Sequence, residues 1–285
     1  MRYVNIAPNV RSSALGFGCA SILGSVEAAA AKRALFSALD NGITHFDLAR
    51  SYGFGKAERF VGTALKGERH KVTLVTKCGI EATALASVLS PLRPLVRRLR
   101  RWRRSSSIDA PRLSKPAPIL GTGYLLGRVP LSGSSMQRSL HVSLRELMTE
   151  YVDVLLLHEP PDCGRFEELC EVATRLKEAG LVRAWGVSFM TCNLAKMGSL
   201  EGFDIVQHEF VDDPASLGLL HEGRKRAGRV VFSPLHRQSA RVAAPRLKSA
   251  REALQSAANR YPGAVILSSM SSSEHVIQNC SAFEE

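Results

Sequence analysis

Three observations predict a (β/α)8 barrel, read as one domain over residues 1–285. Eight short strand-like runs alternate with eight longer amphipathic runs in 285 residues, a length that suits such a barrel. The strand-like runs are apolar nearly throughout, as expected of a parallel sheet covered by helices. Glycines close several amphipathic runs, at Gly42, Gly67, Gly180, Gly228 and Gly263, where a helix commonly ends in the left-handed region.

The elements follow in order. RYVNI and VRSSAL read as an N-terminal hairpin able to plug the barrel bottom. The first strand is LGFGCA (15–20), with a helix in 25–42. The second is ITHFDLA (43–49), with a helix in 55–67. The third is KVTLVTK (71–77); its helix, 132–150, comes only after an inserted basic loop at 81–128. YVDVLLLHE (151–159) precedes a helix in 165–180, VRAWGVS (182–188) one in 191–199, and DIVQHE (204–209) one in 214–228. RVVFSPL (229–235) and AVILSSM (264–270) lead into the last two, 244–263 and 271–285. A doubly wound sheet is the competing architecture. Against it, the turn after the first strand, GFGCAS, lacks the third glycine of a GxGxxG.

Composition excludes several classes. No run approaches the ~20 apolar residues of a membrane span. The six cysteines, Cys19, Cys78, Cys163, Cys170, Cys192 and Cys280, form no CxxC pair, and no histidine cluster has metal-ligand spacing. A reduced, cytoplasmic protein with free thiols and no metal is expected.

In a barrel of this type chemistry sits at the C-terminal strand ends. Asp47 ends the second strand, Lys77 the third, His158 the fourth and Ser188 the fifth, and Gln207 and Glu209 lie near the end of the sixth. Tyr52 follows Asp47 in the next loop. Asp47, Tyr52, Lys77 and His158 should therefore meet at one mouth. A phenol of reference pKa ~10 is a poor acid near neutrality. A neighbouring ammonium is expected to lower it, and a buried carboxylate to keep that ammonium charged. A neutral imidazole can orient a substrate oxygen. Such a set suits protonation of a carbonyl oxygen while hydride, which no side chain supplies, arrives at carbon from a cofactor.

GITHFDLARSYGFGKAERFVG, LVTKCG and LLLHEPP resemble the aldo-keto reductase family, and the likeness runs over nearly the whole chain. The resemblance implies a (β/α)8 barrel that binds a nicotinamide cofactor without a Rossmann fold. It implies Tyr52 as acid, Lys77 tuning it, Asp47 holding Lys77 and His158 orienting the carbonyl of a small-molecule substrate. It also implies cofactor positions: Asp47, in addition to its catalytic role, Cys19 at the nicotinamide ribose, Ser188 and Gln207 at the carboxamide, Phe232 stacked on the ring and Ser233 at the pyrophosphate. Ser269, His275 and Asn279 fall at the adenosine-phosphate end. Family base rate favours NADPH over NADH. The implied activity is reduction of an aldehyde or ketone. Oxidation of a sugar or alcohol, or a cofactor-binding scaffold acting through the basic loop, are the alternatives.

The chain departs from the pattern in four places. Phe189 stands where the family has the Asn of its Ser-Asn pair. The 2′-phosphate end shows Ser269, Ser271, Ser272 and His275 rather than Lys or Arg, with Arg237 and Arg241 as substitutes. The segment after the eighth strand is short. The insertion carries seven arginines between Arg93 and Arg104 against a net charge of +12, so one segment supplies more than half the excess charge. Leu92, Leu95, Val96, Leu99 and Trp102 recur at helical spacing beside them. A solvated loop is the leading reading of this run. A lid for anionic substrates and a membrane-surface helix follow, and nucleic acid is not an expected partner, since no reading motif accompanies the charge.

Overall fold

The computed structural model describes residues 1–89, 125–161, 166–196, 200–211, 216–218, 227–237 and 249–284; at 87–89, 194–196 and 236–237 it describes the backbone alone. The arginine run, most of the insertion, Arg241 and Cys163 lie outside the described residues, as does the side chain of Arg237.

The described residues form twelve strands: β1 Tyr3–Ala7, β2 Val10–Ser13, β3 Leu15–Gly18, β4 His45–Asp47, β5 Thr73–Cys78, β6 Ile80–Ala82, β7 Leu126–Arg128, β8 Val152–His158, β9 Val182–Phe189, β10 Ile205–Glu209, β11 Gly228–Phe232 and β12 Val265–Ser268. Eight of them close a parallel barrel in the order β3-β4-β5-β8-β9-β10-β11-β12, with β12 returning to β3. These eight are the runs expected from the sequence. Among the described residues no helix is long and apolar enough to cross a membrane.

Pleat alternation divides the apolar side chains into two layers. One set, including Leu15, Phe17, Phe46, Leu74, Leu155, Val187 and Phe189, packs outward against the helices. The other fills the lumen: Val75, Val154, Leu156, Ala184, Ile205, Val230, Val265 and Leu267, with Ile6 and Val10 of the hairpin among them. The β1/β2 hairpin is therefore the plug that the sequence suggested.

Where it is described, the helical layer follows the expected order with local corrections; most of the helix expected in 214–228 lies outside the described residues. Helix Gly133–Leu147 is capped by Ser132, whose hydroxyl accepts from the Ser135 N–H in a reciprocal capping box. Gly42, Gly180 and Gly263 take positive φ after their helices. Gly67 does not, and Gly228 is no cap at all. It opens β11, where a side chain would strike the Ile6 carbonyl of the plug. The helix expected after the fifth barrel strand is a short 3-10 turn, Thr191–Lys196. Its Thr191 and Asn193 side chains are engaged by Glu209 and Glu159, an anchoring that competes with regular helix.

The insertion leaves the barrel through a two-stranded ribbon, β6 paired antiparallel with β7 from Ile80↔Arg128 to Ala82↔Leu126. Two three-residue strands separated by more than forty residues leave no periodic trace in the sequence.

His45, fully buried on β4, meets the plug through a 2.8 Å contact between its Nδ1 and Ser12 Oγ. Burial, with Lys77 adding to it and Asp47 opposing, pushes the imidazole down to about 4. The folded state thus favours the neutral ring, whereas the unfolded chain takes up a proton near ~6.5. Stability from this group is complete above ~6.5 and is lost as pH falls from there towards about 4, at most about 3 kcal/mol. Urea midpoints measured against pH should fall less steeply over that window in His45→Gln than in the parent. Equal slopes would remove His45 from the acid response.

Candidate active site

Barrel register brings the polar residues to one end. Gly18 pairs with Asp47, Lys77 with Leu156, His158 with Ser188 and Ser188 with Gln207. Asp47, Lys77, His158, Ser188 and Gln207 therefore stand at the C-terminal ends of their strands around one mouth. Tyr52 enters from the 3-10 turn Tyr52–Phe54 after β4, a turn closed by left-handed Gly53 and Gly55.

Lys77 is the hub. Its Nζ donates to both Asp47 carboxylate oxygens at 2.7 Å, to the Leu48 carbonyl at 2.8 Å and to the Tyr52 hydroxyl at 3.4 Å. Lys77 and Asp47 are almost fully buried. Gln207 Nε2 adds a bond to Asp47 Oδ1 at 3.0 Å. Burial alone would push the Lys77 ammonium down; Asp47 and Tyr52 more than offset this, so it lies above its usual value and stays charged.

The Tyr52 phenol departs from expectation. Burial raises its pKa, Lys77 pulls it back and Asp47 adds to the rise, so it titrates above its ordinary value rather than below it. The ammonium does act in the expected sense, but desolvation outweighs it. His158 meets Tyr52 edge-on, ring centroids 6.1 Å apart. Its imidazole is pushed down to about 3 by burial, then by Lys77 and Arg128. The ring is neutral at physiological pH, and its Nδ1 has no hydrogen-bond partner among the described residues.

A second set of residues holds the Tyr52 loop. Glu58, buried, accepts from Arg50 Nη1 at 2.7 Å and from Thr76 Oγ1 at 2.6 Å. Arg50, two residues before Tyr52, thereby fixes that turn to β5.

The four residues open into a cavity of about 420 Å3. Ser188, Gln207, Phe232, Ser233 and Ser269 line it. Other placements differ. The Cys19 side chain is not brought to the cavity: it is fully buried, with Sγ 3.7 Å from the Phe17 carbonyl, and its neighbours Gly18 and Ala20 line the wall instead. Phe189 points outward into the helix-facing core. His275 is exposed and paired with Ser271 Oγ at 2.9 Å. Asn279 is buried and donates to Ser268 Oγ at 3.0 Å. Both sit on the terminal helix Ser273–Cys280 and do not line the cavity.

Sequence reasoning missed Glu159, Met190, Pro234 and Leu235 as cavity walls. Glu159 directly follows His158, a neighbourhood that could have flagged it. Met190 follows the outward Phe189, so simple alternation would have found it.

The residues fit a nicotinamide. Gln207 Oε1 is buried with no partner among the described residues, an acceptor suited to a carboxamide N–H. Gly18 provides a cradle: a Cβ there would lie 3.4 Å from the Ser268 carbonyl and Ser269 Oγ, narrowing the cavity wall.

Comparison with known proteins gives consistent matches. The aldo/keto reductase family model matches residues 14–211. Aldo-keto reductase YhdN of Bacillus subtilis is 29% identical over 195 residues, 66% of this chain and 47% of that protein. A 6-dehydroglucose reductase of Agrobacterium fabrum is 32% identical over 153 residues, 53% of this chain and 40% of that protein. The chain spans about half the length of the curated relatives it matches. Among solved structures, an aldo-keto reductase from Klebsiella pneumoniae in complex with NADPH superposes with TM-score 0.66 at 22% identity, covering 99% of this chain and 89% of that one. A holo aldo-keto reductase from Bacillus halodurans gives TM-score 0.68 at 22% identity over 100% and 90%. At these identities the structural matches establish the fold.

Proposed function

Because the chain belongs to the aldo/keto reductase family, we propose that it reduces an aldehyde or ketone of a small molecule with NADPH, Tyr52 acting as the proton donor. The observation that carries this reading is the buried Lys77 ammonium, bonded at once to Asp47, the Leu48 carbonyl and the Tyr52 hydroxyl. A phenol beside a fixed cation can lose its proton to a developing alkoxide, because the phenolate left behind is stabilised where it forms.

When bound, reduced nicotinamide supplies the hydride. Ser188 and Gln207 would hold its carboxamide, Phe232 its ring face, and Ser233, with Ser269, the phosphates. His158, neutral and edge-on to Tyr52, orients the carbonyl oxygen towards the phenol. Lys77 steadies the phenolate, and Asp47 keeps Lys77 in place. Asp47 and Cys19, the latter behind the wall formed by Gly18 and Ala20, would flank the nicotinamide end, and His275 and Asn279, on the terminal helix outside this cavity, would meet the adenosine end. The similarity to an NADPH-bound neighbour supports the choice of NADPH.

The test is direct. Protein titrated with NADPH and with NADH should show tighter quenching of tryptophan fluorescence by NADPH, and benzaldehyde should then be reduced with loss of absorbance from the reduced cofactor. Cofactor binding without turnover of any aldehyde or ketone in a broad set would leave a binding barrel and defeat the reading.

A further inference from the structure

We propose that Glu159 makes the substrate end of this cavity select cationic or neutral carbonyl compounds and reject carboxylates and phosphates. The inference rests on the reading above for where substrate sits, and it names the substrate class.

Glu159 is the residue after His158, and its side chain lines the same cavity. It takes a left-handed backbone conformation, φ 50°, which is uncommon for a residue with a side chain. Several contacts hold it there. Its N–H donates to the Ser188 carbonyl at 2.8 Å. Its carbonyl accepts from Arg128 Nη1 at 2.5 Å. Its carboxylate accepts from Asn193 Nδ2 at 2.7 Å. The carboxylate is therefore fixed in place by a hydrogen-bond donor aimed at one of its oxygens. Burial, helped by the nearby Glu209, raises its pKa above the ordinary carboxylate value; Asn193, the Met190 N–H and Arg128 offset only part of that rise.

The charge balance of the cavity gives this carboxylate its effect. Among the described residues that line it, Lys77 is the one fixed cation, and its donors are directed at Asp47, Leu48 and Tyr52. His158 is neutral. An anionic substrate group would find Glu159 and, among the described wall residues, no available positive partner. A cationic group would find a carboxylate held in a partly buried site, where charge interactions are several-fold stronger than in water. Arg128 is the competing element. It is exposed, donates to the Glu159 backbone and does not line the cavity; it could serve an anion only at the rim.

The experiment uses two unreactive ligands of similar size, benzyltrimethylammonium and phenylacetate, titrated calorimetrically into the full chain alone and saturated with NADPH. Neither carries a reducible aldehyde or ketone, so the result does not depend on turnover. The expected result is cation binding at least about 10-fold tighter than anion binding. Glu159→Gln should bring that ratio towards one, a change on the order of 10-fold. Comparing two ligands in one variant cancels general damage to the cavity. Tighter binding of phenylacetate by the parent would overturn the proposal and transfer selectivity to Arg128 or the arginine run. An unchanged ratio in Glu159→Gln with a weakened Kd for NADPH would overturn it too, placing the carboxylate against the cofactor. Failure of benzaldehyde turnover with the ratio intact would instead remove the reductase reading and leave this one standing.

Discussion

Tyr52→Phe is expected to lower kcat by about 10²- to 10⁴-fold, the usual worth of a positioned general acid, while NADPH binds as in the parent. Among the described cavity-lining residues, Tyr52 carries the one phenol. Among the described residues, its hydroxyl is the one group that Lys77 Nζ reaches apart from Asp47 and Leu48. Removing the oxygen leaves the ring that packs edge-on against His158, so the cavity keeps its shape and the loss falls on proton delivery. Cofactor Kd by fluorescence and kcat on benzaldehyde, measured in the same preparation, separate the two effects. A variant that keeps most of its kcat would take Tyr52 out of the mechanism.

Lys77→Met should damage both activity and stability. Without the ammonium, the phenol loses the interaction that opposes burial and Asp47, so its pKa climbs further and turnover should fall about as far as in Tyr52→Phe. The buried Asp47 would also lose its cation and keep Gln207 as its remaining side-chain donor among the described residues. Breaking one half of a buried ion pair costs about 3–5 kcal/mol. Adding Asp47→Asn removes the uncompensated charge. The double variant should recover much of the lost stability and none of the lost activity. If the double variant were no more stable than Lys77→Met alone, the pair would not be the buried ion pair described. If its activity returned with its stability, Lys77 would be a structural residue only.

Much of this site could be read from the sequence because a parallel barrel converts strand ends into neighbours. Asp47, Lys77, His158 and Ser188 each end an apolar run and Gln207 lies near the end of another, and closure of eight such runs gathers them at one mouth. Features that depend on a single backbone turn were not legible. Cys19 begins a 3-10 turn directly after β3, and that turn sends its thiol into the core. Glu159 enters the cavity through a left-handed residue that no propensity foretells. The β6/β7 ribbon depends on a pairing across the whole insertion. The sign of the Tyr52 shift was beyond reach for a different reason: sequence shows that a cation and a phenol are neighbours, whereas the depth of burial that outweighs the cation is a property of the folded mouth. Gly228 shows the opposite confusion, a glycine required by contact with the Ile6 carbonyl rather than by helix termination.

If the Tyr52–Lys77–Asp47–His158 mouth reduces a carbonyl by hydride transfer, as proposed, the hydrogen delivered to carbon comes from the cofactor. Isotopic labelling of the cofactor reads this out. With NADPH fully deuterated at C4 and benzaldehyde as substrate, one deuterium should appear on the carbinol carbon of the benzyl alcohol formed, at the parent rate, and at a rate lower by about 10²-fold or more in Tyr52→Phe. Benzyl alcohol formed without deuterium on carbon, or formed equally fast by Tyr52→Phe, would contradict the account.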